Sequence, residues 1–219
     1  AGRLFELALP EVAHFSSLRA WAYTLIGIHE YLRRFEGDRL VYDMRKKLSK
    51  RMLELYREAS GPDWQWFENI VAYGNATISH AILLCGKWIP NEKMVDAGLQ
   101  SLRWLADMQT GNKGYFSPIG SNGFYPRGGE RARYDQQPLE AYSMVAAALE
   151  AYRITGDSYW EKEARRAFNW FLGRNDLELP LYYLLIGCCH DGLHQDRVNL
   201  NQGAESTLSF LLALAEMRL

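Results

Sequence analysis

Apolar patterns of helical period return in pairs along the chain, each pair joined by a short polar turn that holds a capping residue. Ser16 or Ser17 can cap a first helix running through Trp21, Leu25, Ile28 and Leu32 to Phe35. Gly37 stops it, and Asp38 caps the next, from Arg39 to about Arg57, whose surface is rich in Lys, Arg and Glu. The same unit recurs as Asn69–Gly86, a Pro90-Asn91 turn and a helix through Trp104 to Met108. It recurs again as Pro138–Thr155, a Gly156-Asp157 turn and Ser158–Leu172. Gln202–Arg218 is a fourth first-helix with no partner after it. In register, the turns at Asp38, Asn91 and Asp157 align, as do Trp104 and Trp170, at an irregular period of roughly 50–65 residues. No segment carries a strand pattern. The expectation is an all-α array of hairpins, about seven helices in one domain spanning residues 1–219.

Composition narrows the function classes. With 219 residues, 48% of them hydrophobic, the chain can bury one substantial core. A net charge of −1 provides no electrostatic footprint for nucleic acid or an anionic membrane. No run is apolar enough to span a bilayer, so neither nucleic acid nor membrane is an expected partner. Cys85 and the adjacent Cys188-Cys189 make no disulfide framework, which points to a reducing, cytoplasmic compartment. The N-terminal AGRLFELALPEV lacks a signal peptide's basic start and reads as a beginning inside a domain, as in a fragment.

The connections are asymmetric. Turns within hairpins are short, whereas Ser60–Glu68, Thr110–Gln137 and Gly173–Asn201 are long polar excursions. All three lead into the starts of first helices, so they are expected to gather on one face. The first helices are also the less charged ones, as an inner ring shielded by outer partners would be.

Those excursions hold the chemistry. The first reads Asp63-Trp64-Gln65-Trp66-Phe67-Glu68: the indoles either stack on a sugar ring beside acids or plug the packing. The second presents Tyr125-Pro126-Arg127 among glycines, then Asp135-Gln136-Gln137-Pro138-Leu139-Glu140 at a helix entrance. Its glycine spacing fits neither a dinucleotide fingerprint nor a P-loop. Asp135 is either a cap or a cleft acid, and Glu140 lies one turn into an otherwise apolar helix. The third contains Cys188-Cys189-His190-Asp191 and then His194, Arg197 and Asn199. Vicinal cysteines are poor ligands for one tetrahedral ion, so no metal or other cofactor is expected; Asp191, His194 and Arg197 are read as a polar cluster. Gln202 and Glu205 repeat the Gln-x-x-Glu device of Gln137 and Glu140. Glycoside hydrolysis by general acid–base chemistry needs two carboxyl groups flanking the bond. Glu68, Asp135, Glu140, Asp191 and Glu205 are the candidates; Asp63, Trp64, Trp66, Tyr125, Arg127, Gln136, His194, Arg197, Asn199 and Gln202 are the candidate sugar contacts.

On these residues the chain resembles the six-hairpin glycosidase-like superfamily, the (α/α)6 toroids. The segments DWQWFEN, FSPIGSNGFYPRGGERARYDQQPLEAY, FNWFLGRNDL and DGLHQDRVNLNQGAESTLSFLLALAEM look like a bacterial and archaeal family related to glycosyltransferases or glycosidases. The resemblance runs from about Leu4 to the end and implies a carbohydrate-active protein, with a glycosyltransferase domain or subunit as companion. A non-catalytic sugar-binding or scaffold role is the alternative it leaves open. Seven helices against the twelve of a closed toroid imply an incomplete barrel, closed by absent hairpins or by a partner such as a second copy. Two departures stand out: Tyr73-Gly74-Asn75 where the family pattern has Tyr-Asp-Asn, and the apolar Tyr182–Ile186 after Pro180.

Overall fold

A computed structural model describes residues 2–218, and among them are eight helices and three short antiparallel strand pairs. In chain order these are α1 (Gly2–Val12), α2 (Leu18–Leu32), α3 (Arg39–Ala59), β1 (Ile70–Val71), α4 (Asn75–Trp88) and α5 (Glu92–Met108). They are followed by β2 (Tyr125–Pro126), α6 (Pro138–Thr155), α7 (Ser158–Phe171), β3 (Tyr182–Tyr183) and β4 (Cys188–Cys189). Last come β5 (Gly192–Leu193), β6 (Val198–Asn199) and α8 (Ala204–Glu216).

The turn residues cap the helices as their side chains dictate. Ser17 accepts from the Ala20 amide, Asp38 from Leu40 and Val41, Asn91 from Met94 and Asp157 from Tyr159. Each such cap stabilises a helix start by about 1 kcal/mol and stops the chain from continuing the previous helix. Gly156, at φ 68°, closes α6 in the left-handed region open to glycine.

The helices form two layers. The inner row runs α2, α4, α6, α8, each packed on the next, and α3, α5 and α7 pack behind their hairpin partners. The two layers differ in sequence for that reason. Inner-row α6 buries Ala141, Met144, Val145, Ala147, Ala148 and Ala151, whereas α7 buries one stripe through Trp160, Ala164, Ala167 and Trp170. Small residues let the elements approach closely; a Cβ on Gly98 of α5 would lie 2.6 Å from Leu83 Cγ of α4.

Four expectations need correction. α1 was not anticipated; Pro10 interrupts its pattern, yet Phe5 stacks on Tyr31 with centroids 4.6 Å apart. α4 starts at Asn75 rather than Asn69, because Ile70-Val71 first pair with Tyr125-Pro126. α8 likewise starts at Ala204 rather than Gln202. The strand pairs, each two residues long, are too short to leave a period-two signature in the sequence. The hairpin row itself stands as expected. No described helix is long and apolar enough to cross a membrane.

Candidate functional site

The long loops meet on one face, at the starts of the inner helices. β1 and β2 tie the first loop to the second, in register Ile70↔Pro126 and Val71↔Tyr125. The second is tied to the third by paired amide bonds between Gln136 and Leu193, of 3.0 and 2.9 Å. Gly192 permits this approach, since a Cβ there would lie 2.4 Å from the Gln136 carbonyl oxygen.

That packing takes several candidate contact residues out of reach of a ligand. Trp64 and Trp66 are buried: Trp64 lies edge-on to Trp104 at 4.9 Å and beside Tyr125 at 5.2 Å, and Trp66 stacks near Trp104 at 6.0 Å. The plug reading of these indoles is the correct one, because rings of this size bury best against each other where loop and outer helices meet. Gln136 is a structural hub rather than a sugar contact, at 1% exposure. Its amide nitrogen donates to Asp176 at 2.6 Å and to the Arg133 carbonyl at 2.9 Å, and its oxygen accepts from the Trp170 indole at 2.9 Å. Tyr125 is half-buried in the Trp64 cluster, while Arg127 donates to the Ala59 carbonyl at 2.8 Å.

A polar cluster gathers where α2, α4, α6 and α8 begin. Glu140, 3% exposed, reaches from α6 across to α4. Its carboxylate accepts from the Gly74 amide, from the Asn75 amide at 3.3 Å and from the Asn75 carboxamide at 2.9 Å. It thus caps α4 from a neighbouring helix, where α4's own cap position, Gly74, has no side chain to do so. Gly74 sits at φ 57°, and a Cβ there would approach the Tyr23 hydroxyl at 3.2 Å. Glycine here therefore satisfies both a left-handed backbone and a close contact. Burial pushes the Glu140 carboxyl up to about 7, with the Asn75 and Gly74 bonds and Arg19 pulling the other way.

Around it stand Arg19, Tyr23, Tyr73 and Asn75, none of them among the site candidates drawn from the sequence. Tyr23 of α2 is half-exposed; burial raises its hydroxyl pKa, opposed by a bond to Thr77 and reinforced by the nearby charges of Glu140 and Glu205. Arg19 pairs with Glu68 at 2.7 Å and donates to the Tyr73 carbonyl at 2.7 Å. Arg19 Nη2 and Asn75 Oδ1 are buried without a hydrogen-bond partner among the described residues. The half-exposed rings of Tyr23 and Tyr73 were the available signal, aromatic and polar on helix starts that were otherwise read as apolar. Glu205, at the start of α8, is exposed and has no ion-pair partner among the described residues.

The other acids go elsewhere. Asp191 accepts from the Gly203 amide at 2.6 Å and the Ser206 hydroxyl at 2.7 Å, which makes it the cap of α8. The expected cluster of Asp191, His194 and Arg197 is therefore split. His194 binds Asp135 through Nδ1 at 2.5 Å, and Arg197 pairs with Asp196 at 2.9 Å. Asp135 is not the α6 cap, a position held by Gln137. Asn199 accepts from the Asn201 amide at 3.1 Å, while Asp63 and Gln202 are exposed. Among the described residues no three His, Cys, Asp or Glu side chains gather as a metal ion would require, and all three cysteines are free.

No protein-family model matches this chain, and no curated protein matches it.

Proposed function

We propose that the chain is a carbohydrate-active protein that cleaves glycosidic bonds at the polar cluster where α2, α4, α6 and α8 begin. One observation carries this reading. Glu140 and Glu205, from neighbouring inner helices, both act on the Tyr23 hydroxyl, and one is buried and protonatable near neutrality while the other is exposed. Environments that separate two carboxyl groups in this way suit them to opposite roles. In this assignment Glu140 donates the proton to the leaving oxygen, and Glu205 supplies the carboxylate on the other side of the bond. Tyr23, Tyr73 and Arg19 orient the sugar. Polar atoms without partners on Arg19 and Asn75 support a polar ligand at this place.

A second reading has its own support. Both oxygens of Glu140 are occupied by the start of α4, and Asp191 is consumed by α8, as in a sugar-binding or scaffold domain working beside a glycosyltransferase. An oligosaccharide panel, scored for hydrolysis and for binding, separates the two. The enzyme reading expects hydrolysis that falls about 10²–10⁴-fold in Glu205→Gln and Glu140→Gln, with sugar binding retained. Hydrolysis indifferent to Glu205→Gln overturns the residue assignment. Binding without hydrolysis establishes the second reading instead.

A further inference from the structure

We propose that Asp135 and His194 form an acid–base dyad serving a separate pocket for a neutral, polyhydroxylated ligand, with His194 Nε2 as the group that meets a ligand hydroxyl. The dyad is built from two loops. His194 stands at the tip of the β5–β6 hairpin, held by its own amide bond to the Arg197 carbonyl at 2.9 Å and by the adjoining Gln136–Leu193 bridge. Asp135 comes from the second loop, at φ 59°, a conformation costly for a residue with a side chain. Its carbonyl is fixed by the Ser121 amide and hydroxyl, both at 3.1 Å. This places the carboxylate on Nδ1 of the imidazole at 2.5 Å.

The orientation has a chemical consequence. With Nδ1–H directed at Asp135, the imidazole presents Nε2 as an acceptor, and Nε2 makes no hydrogen bond among the described residues. The side chains are 33% and 37% exposed, so the dyad is reachable from solvent yet anchored. It opens on a cavity of about 660 Å³ lined also by Asn122, Tyr134, Gln195 and the Asp196–Arg197 pair. This lining is rich in hydrogen-bond donors and acceptors; Asp196 pairs with Arg197, and the Asp135 carboxylate behind the imidazole leaves the pocket without a free cation among the described residues. Such a surface suits hydroxyl groups better than a net anion or an apolar body. The pocket is lined by none of Glu140, Glu205, Tyr23, Tyr73 and Arg19, so the inference holds whether or not Glu205 is catalytic.

Diethyl pyrocarbonate acylates an accessible unprotonated imidazole nitrogen, and mass spectrometry of the full chain resolves each of the five histidines. The expected result is that at least one neutral sugar from a panel of mono- and disaccharides slows acylation of His194 by about tenfold at saturation, as site occupancy demands. Exposed His14 serves as the internal control and should be unaffected. Asp135→Asn, which keeps an acceptor oxygen, should slow His194 acylation without changing His14 or the melting temperature. A purely loop-bracing pair would show no sugar protection. Failure of every sugar to protect His194 selectively overturns the proposal, whatever the intrinsic reactivity of the imidazole.

Discussion

Glu140 and His80 place opposing demands on the folded state. Burial raises Glu140 from an ordinary 4.5 to about 7, and it lowers His80 from 6.5 to about 4. Folding therefore favours protonated Glu140, a contribution fully present below about pH 4.5 and lost as pH rises through 7; a shift of that size is worth roughly 3 kcal/mol. Folding also favours neutral His80, a contribution present above about pH 6.5 and lost as pH falls through 4. Over the overlap the two slopes offset. Calorimetric melting across this range should show Tm rising with pH in Glu140→Gln, where only the histidine slope remains, and falling with pH in His80→Gln. Parallel profiles for both variants and the parent would refute this account. Glu140 was legible in the sequence as an acid out of place on an apolar helix. Its partners were not, because Gly74 and Asn75 lie 66 and 65 residues away along the chain.

Among the elements, the capped hairpin turns were the most legible, since Asp38, Asn91 and Asp157 act on amides two or three residues ahead. The caps of the inner helices belong to another category. α4 is capped by Glu140 from α6, and α8 by Asp191 from the preceding loop. Asp191→Ala should cost about 1–2 kcal/mol, the usual loss for a helix cap. Hydrogen exchange should quicken at the start of α8 and stay unchanged in α2; uniform quickening, or none, would show that Asp191 does not act as this cap. The same separation explains the indoles of the first loop. Their local pattern served a sugar platform and a packing plug equally well, and the Trp104 and Tyr125 rings that settle the matter come from distant segments.

For the whole molecule, α8 is the one inner helix with no outer helix following it among the described residues. Leu208, Leu211 and Leu212 are 56%, 45% and 46% exposed on it. Contiguous apolar surface of this kind marks a place of contact. Sedimentation at increasing protein concentration should show self-association, and Leu208→Ser with Leu212→Ser should hold the chain monomeric with stability altered by under about 0.5 kcal/mol. Identical sedimentation of parent and variant would remove any role for this face in association.

Hairpin repetition, inner and outer helix character and the gathering of long loops at one end were all determined by the sequence, because each depends on periodicity or on neighbours within a few residues. The tertiary structure alone decided which acids are free and which are spent. A carboxylate becomes a cap, a dyad member or an exposed acid according to the amides and rings that other loops bring to it. Asp191, Asp135 and Glu205 look alike along the chain and differ only in that company.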